Sequence, residues 1–432
     1  MSESIIPKAA VNRDAASLGV ASRLGRWAVQ ARLNRVREGQ VVLVDGGGRH
    51  CYGQIAADGL KAAIEVKDPR FYRLALMGGS LGFADAFIRG YWSTDSLTDL
   101  LRVFVRNIDL AHQTRGGPAR VGQFLSRAAH GLRRNTPKGS RRNIEAHYDL
   151  GNDFFEQFLD PTMTYSCGYF QKPDSTMHEA SLAKLNRLCL KLDLWPGDHL
   201  LEIGTGWGSM AIYAAREFGC RVTTTTISKQ QYDLARKRVA EAGLADRVKV
   251  ILTDYRRLEG AFDKLVSVEM IEAVGHTYLD TYFAQCSRLL KPRGVMALQA
   301  INMNDQHYSR YLRSVDFIQR FVFPGSCCPS VGAITESIGR STDMRIQHVE
   351  DIGLHYAQTL RLWRRRFFEN IDEVKLLGYS EAFIRLWEYY ICYCEAGFQE
   401  RYIGNTHWVL TKPKSRHTAE MGRAQGSRKV PS

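Results

Sequence analysis

At 432 residues the chain is long enough for one large or two modest domains, each with its own core. Its 44% hydrophobic content is ordinary for a globular protein, and no uninterrupted apolar run is long enough to cross a bilayer, which excludes a helical membrane-spanning class. The formal net charge of +14 draws the surface to polyanions, either nucleic acid or an anionic membrane face. With no secretory pattern near Met1, a cytoplasmic location is expected. The nine cysteines lack paired zinc spacing, so Cys327, Cys328, Cys392 and Cys394 are expected to be reduced and structural, and no metal site is expected.

In chain order, 1–34 reads as a tail, partly disordered or loosely helical, with Leu24, Trp27, Ala28 and Ala31 as one apolar stripe. A small α+β unit is expected over 35–111. Its strands are VVLV, HCYGQI and AAIEV, with a DGGG turn after the first, and its helices run from Phe71 to Met77 and from Leu81 to Tyr91. Residues 112–142 form a basic linker carrying Arg115, Arg120, Arg127, Arg133, Arg134, Lys138, Arg141 and Arg142 and no acid. A solvated linker explains the tract. So does a surface helix on a membrane, because Val121, Phe124, Leu125, Ala128, Ala129 and Leu132 recur at helical spacing. The catalytic unit is expected over 143–412, with a basic disordered tail over 413–432.

Within that unit, Asp198 to Phe218 (DHLLEIGTGWGSMAIYAAREF) reads as a strand ending at Glu202, a loop with Gly204, Gly206 and Gly208, and a helix. Glycines let a ligand approach the backbone, and the helix start offers unpaired N–H groups. Beyond it, strands are expected at Arg221–Thr226, Arg247–Leu252, Lys264–Val268 and Val295–Ala300, with helices at Ser228–Ala242 and Tyr278–Leu290. This alternation implies an α/β fold with a parallel sheet whose ligands sit at the carboxyl ends of the strands. An aromatic helical insertion is expected over 302–402, followed by a last strand, Thr406–Thr411. Most of its aromatics are expected in the core, with a share free to line a long apolar channel.

The loop spacing is GxGxG, with Ser209 where a dinucleotide fingerprint would carry Gly or Ala, and Arg221–Thr226 offers no acid for a ribose. The arrangement resembles the S-adenosylmethionine (SAM) loop of class I methyltransferases, with Glu202 placed to reach the ligand's amino group.

The motifs HYDLGNDFF with DPTMTYSCGYF, LEIGTGWG, TTTISKQQ, and FPGSCCPS with LHYAQTLRLW together resemble the cyclopropane-fatty-acyl-phospholipid synthases and related fatty-acid methyltransferases, including the mycolic acid cyclopropane synthases. The resemblance covers Asn143 to Thr411. It implies a Rossmann-like, seven-stranded class I methyltransferase domain, preceded by a small lipid-binding domain. It also implies that Tyr165, Ser166, Gly204 and Gly206 contact the methionine part of SAM, that Thr226, Ile227 and Gln231 hold the ribose region, and that Asp254 and Tyr255 flank the adenine. Cys167, Glu272 and Tyr356 would surround a bicarbonate serving as base, with Ile301 beside them; the cage's usual His is replaced by Gln299. Two further departures are Ala273 after the glutamate and Glu269 where a small residue is usual. A glutamine can donate to an oxyanion but cannot titrate.

The function this implies is SAM-dependent methylene or methyl transfer to the double bond of unsaturated phospholipid acyl chains at the inner membrane surface. The first-expected product is a cyclopropane fatty acid, and the alternative is a methyl or methylene branch, toward which loss of the His would shift the outcome. The aromatic faces of Tyr165, Tyr169 and Tyr356 would steady a carbocation. An RNA methyltransferase or a non-catalytic lipid-binding protein is a distant alternative. No nucleic-acid partner is expected, for want of a recognisable RNA-binding module, and a homodimer is left open.

Overall fold

The computed structural model describes residues 20–108 and 150–418, so the amphipathic pattern at 121–132 and the HYD part of the first motif lie outside the described residues. The small unit comprises α1 (Val20–Leu33), β1 (Gly39–Asp45), β2 (Gly48–Gln54), β3 (Lys61–Val66), α2 (Arg70–Ile88), β4 (Trp92–Ser93) and α3 (Leu97–Arg106). Its sheet has the order β2-β1-β3-β4. β1 and β2 form an antiparallel hairpin, and β1 pairs with β3 in parallel. The two helices expected before and after residue 79 are one helix, kinked where Gly79 takes φ 57° and ψ −131°. Only glycine enters that region freely.

The face α1 buries is not the expected stripe. Gly25, Val29 and Leu33 point inward, while Leu24 and Trp27 are 56% and 70% exposed. Gly25 explains the choice: a Cβ there would meet the Tyr72 carbonyl oxygen at 2.4 Å, so glycine lets α1 lie directly on the α2 backbone.

The larger unit runs α4 (Asn152–Glu156), α5 (Met177–Leu192), β5 (His199–Ile203), α6 (Ser209–Phe218), β6 (Arg221–Thr226), α7 (Lys229–Glu241), β7 (Val248–Leu252), β8 (Phe262–Val268), α8 (Leu279–Leu289), β9 (Leu290–Met303), α9 (Asp305–Tyr311), α10 (Val331–Ser341), β10 (Arg345–Asp351), α11 (Gly353–Glu369), α12 (Ile371–Leu376), α13 (Glu381–Gln399) and β11 (Ile403–Thr411). The sheet has seven strands in the order β10-β11-β9-β8-β5-β6-β7, as class I methyltransferases require. The pairs among β5 to β9 are parallel, and β11 pairs antiparallel with both β9 and β10. The order reverses at β5, so the crevice at its carboxyl end is the natural ligand site. One correction concerns the insertion: 302–402 is not wholly helical, because β10 forms an edge of the sheet. Its sequence, RIQHVED, is mostly exposed and polar, which suits an edge strand and hides it from a hydrophobic pattern.

The two units are docked through the insertion. Thr98 donates to Glu395 Oε2 at 3.0 Å, and Arg102 and Arg106 pair with Glu400 at 2.7 and 2.8 Å. The Phe87 ring lies 5.7 Å from Tyr389. This docking lets a single cavity run between the units.

Candidate active site

A cavity of about 730 Å³ extends from α1 and the α2 kink to the carboxyl ends of β5, β6 and β8. At its sheet end lie Tyr165, Ser166, Glu202, Gly204, Gly206, Thr226, Ile227, Gln231, Asp254 and Tyr255, all ten residues the resemblance assigns to SAM. Gly204, Gly206 and Gly208 have φ of 101°, 51° and 91°, which is why this loop is glycine-rich. Thr226 Oγ1 donates to Gln231 Oε1 at 2.8 Å, leaving the Gln231 NH2 as the donor a ribose would meet. Asp254 is held by Arg256 at 2.9 and 2.6 Å, and that guanidinium keeps its carboxyl below the usual range despite burial.

Glu202 shows whether SAM fits. It is buried, its Oε2 has no hydrogen-bond partner among the described residues, and burial pushes its pKa up to about 8. An unsatisfied buried acid is costly unless a ligand completes it, and the ammonium of SAM is such a ligand. Lys184 is the buried cation of the same pocket. Buried on α5, its pKa lowered by desolvation, it donates from Nζ to Ser166 Oγ at 2.8 Å and lines the cavity, a cation suited to the carboxylate of SAM. Lys184 was not expected at the site; its only signal in the sequence is a lysine on the apolar face of a helix.

Next to this pocket the chain builds a closed cage around Glu269. Its Oε1 accepts from the Cys167 backbone N–H at 3.1 Å, from Gln299 Nε2 at 2.7 Å and from Asn405 Nδ2 at 2.5 Å. Its Oε2 accepts from the Tyr356 hydroxyl at 2.7 Å. All four partners are donors, as an ionised carboxylate requires. Glu269 sits at φ 49°, a conformation that favours glycine and explains why a small residue is usual there. The cage extends to His407, whose Nε2 lies 2.9 Å from Gln299 Oε1; burial and nearby cations lower the His407 pKa far enough to keep the ring neutral. This contact orients the Gln299 amide so that its NH2 faces Glu269. Glu272 is a second carboxyl with a different environment. Its Oε1 accepts from the Ile301 N–H at 2.5 Å, its Oε2 is buried without a partner among the described residues, and burial together with the Glu269 charge pushes its pKa up to about 8.

The model of the mycolic acid cyclopropane synthetase family matches residues 135–408. The chain belongs to this family. Among relatives of this synthetase family, a tuberculostearic acid methyltransferase from Mycobacterium tuberculosis is 40% identical over 77% of this chain and 79% of its own length. The cyclopropane-fatty-acyl-phospholipid synthase of Escherichia coli is 37% identical over 79% and 85%. A mycolic acid cyclopropane synthase solved with S-adenosylhomocysteine superposes with a TM-score of 0.58 at 32% identity, covering 63% of this chain and 98% of its own. This family member is accordingly a SAM-dependent methyltransferase.

Set against the expected roles, the structure brings Cys167, Gln299, Ile301, Glu272 and Tyr356 together, though not all by their side chains. Cys167 contributes its backbone N–H, while its thiol, kept neutral by burial and the Glu269 charge, donates to the Gly168 carbonyl at 3.1 Å. Ile301 likewise acts through its N–H. Tyr165 and Tyr356 line the cavity, but Tyr169 does not: its ring packs on His355 at 4.5 Å and against the Arg187 guanidinium at 4.5 Å. Asn405 and His407 were not expected. Their signal lies in register, since Ile301 and Gln299 on β9 pair with Asn405 and His407 on β11.

Proposed function

We propose that this enzyme methylates the double bond of an unsaturated phospholipid acyl chain and that its immediate product is a methylene-branched chain, with Glu269 as the base. The carrying observation is that the donors which the resemblance assigns to a bicarbonate cage converge on the Glu269 carboxylate. A second anion does not fit among donors already engaged, and the base is part of the chain.

When bound, SAM supplies an electrophilic methyl group to the alkene, leaving a carbocation on the acyl chain. Tyr165, whose ring lies 5.3 Å from Trp363, and Tyr356, 6.1 Å from the same indole, offer aromatic faces on the cavity wall to steady that charge. Glu269 then accepts a proton from the added methyl carbon. Its Oε2, with one donor, keeps a lone pair for that proton, but four hydrogen bonds hold the carboxylate in one orientation, and turning that lone pair onto the methyl hydrogen delays proton removal. During the delay a hydride can shift from the methylated carbon to its neighbour, converting a secondary cation into a tertiary one. Loss of the methyl proton from that cation gives a methylene branch, a 1,1-disubstituted alkene on the chain. Loss before the shift closes a cyclopropane. A saturated methyl branch needs two further hydrogens from a separate reductase.

One relative is named a methyltransferase and another a cyclopropane synthase, so cyclopropanation is the second reading, favoured by the retained Glu272 and Tyr356. Lipids from cells expressing this chain and fed methyl-labelled methionine decide between them. Vinylidene proton signals in labelled lipid are expected. Upfield cyclopropyl signals would establish the second reading, and unlabelled lipid would refute both.

A further inference from the structure

The end of the cavity remote from the sheet has its own chemistry. Among the described residues lining the cavity, the exposed ones are Arg32, Arg35 and Ser80, so the opening lies between the end of α1 and the kink of α2. Behind them the wall is apolar, with Val29, Leu33, Ile64, Ala75 and Phe83. Neither the Arg32 nor the Arg35 guanidinium has a hydrogen-bond or ion-pair partner among the described residues. Arg26 pairs with Asp45 at 2.8 Å, and Arg102 and Arg106 with Glu400; Arg37, Arg49 and Arg73 also lack a side-chain partner among the described residues, but they do not line the cavity. Two unpaired guanidiniums at the mouth of an apolar tunnel match a ligand with one anionic end and one long apolar end. The helix that carries Arg32 also exposes Leu24 and Trp27, and an exposed Trp beside basic residues suits the headgroup level of a bilayer.

We propose that Arg32 and Arg35 form the headgroup site of the substrate, gripping the phosphate of a phospholipid whose acyl chain threads past Phe83 toward Glu269. Guanidiniums bind phosphate through paired charge-assisted hydrogen bonds, and a site at the mouth fixes how far along the chain the reacting carbons lie. The inference rests on the lipid reading of the catalytic end but is tested without turnover.

The test is equilibrium binding of 1-oleoyl-lysophosphatidylglycerol and of 1-monooleoylglycerol, which shares the chain but lacks the phosphate. The full-length protein is compared with Arg32→Gln/Arg35→Gln and with Arg32→Lys/Arg35→Lys. The Gln pair is expected to bind the phospholipid at least tenfold more weakly and the neutral lipid within twofold of wild type, and the Lys pair to recover part of the loss. Equal weakening for both lipids, or none for either, would overturn the site. Inorganic phosphate binding the wild type as tightly as the lysophospholipid would make it a free-phosphate site instead. Because no methyl transfer is involved, failure of the proposed reaction leaves this result standing, and the reverse holds too.

Discussion

The two carboxylates nearest the chemistry, Glu202 at the cofactor end and Glu269 in the cage, are built in opposite ways. Glu269 is completed by the chain itself, with four donors on its two oxygens. Glu202 is left incomplete, with a buried oxygen lacking any partner among the described residues. A satisfied group is pre-organised to act without help, and an unsatisfied one is pre-organised to bind. The same contrast separates the cage from the mouth of the cavity, where Arg32 and Arg35 also have no partner among the described residues.

The contrast breaks most visibly at Glu269. Glu269→Gln keeps the shape and removes the base, so methyl transfer from labelled SAM should fall by about 10³-fold, within the range for losing a general base, while SAM affinity stays within threefold. Glu269→Gly relieves the residue from φ 49° and empties the cage. Its activity should be equally low and should rise when bicarbonate is added, since the Cys167, Gln299 and Tyr356 donors remain. An active Gln variant would remove Glu269 from the mechanism.

At the binding end, Glu202→Gln should weaken SAM binding by roughly 30-fold, about 2 kcal/mol for one member of a buried charge pair, as read by calorimetry. It also carries a stability signature. The folded pKa of Glu202 is about 8 against 4.5 for an unburied glutamate, so the folded state holds the proton more tightly. That stability is present below pH 4.5 and lost as pH rises through about 8. The melting temperature of the ligand-free protein should therefore fall over this window, and fall less in Glu202→Gln. A flat wild-type profile would show that Glu202 is satisfied without ligand.

These differences were unequally legible in the sequence. The cofactor end could be read because strand, glycine loop and helix are contiguous, and LEIGTGWG places Glu202 and the glycines within seven residues of one another. Glu269 could be flagged only as a large acid in a small residue's place, because its hydrogen bonds come from residues as distant as Cys167 and Asn405. Asn405 and His407 were invisible for the same reason: their register against β9 spans the whole insertion. The stripe on α1 failed differently. Helical periodicity finds an apolar face but cannot say which of two faces is buried, and here Gly25, without a side chain, decided it.

Glu272 sharpens the comparison with a smaller effect. With a pKa of about 8 it is neutral at pH 7, its proton on the unpartnered Oε2 and its Oε1 accepting from Ile301. Glu272→Gln imitates that neutral form and should cost less than tenfold in kcat at pH 7. Above pH 8 the wild type should slow as a second negative charge forms beside Glu269, whereas the Gln variant should not. A loss at pH 7 as large as that of Glu269→Gln would make Glu272 the base.

The smallest expected change in rate is also the one that tests timing. Tyr356→Phe keeps the aromatic wall and removes the single donor on Glu269 Oε2, the hydroxyl at 2.7 Å. That oxygen is then no longer tethered and turns its lone pairs onto the methyl proton more readily. Overall turnover should change by no more than a few fold, because the three N–H donors on Oε1 still position the carboxylate. The product ratio should move. Earlier proton removal leaves less time for the hydride shift, so the cyclopropyl share of labelled lipid should rise at the expense of the methylene-branched share. An unchanged ratio alongside near-normal turnover would mean that the hydrogen bonds on Glu269 do not set the delay, and that the outcome is decided by how the cavity wall holds the cation.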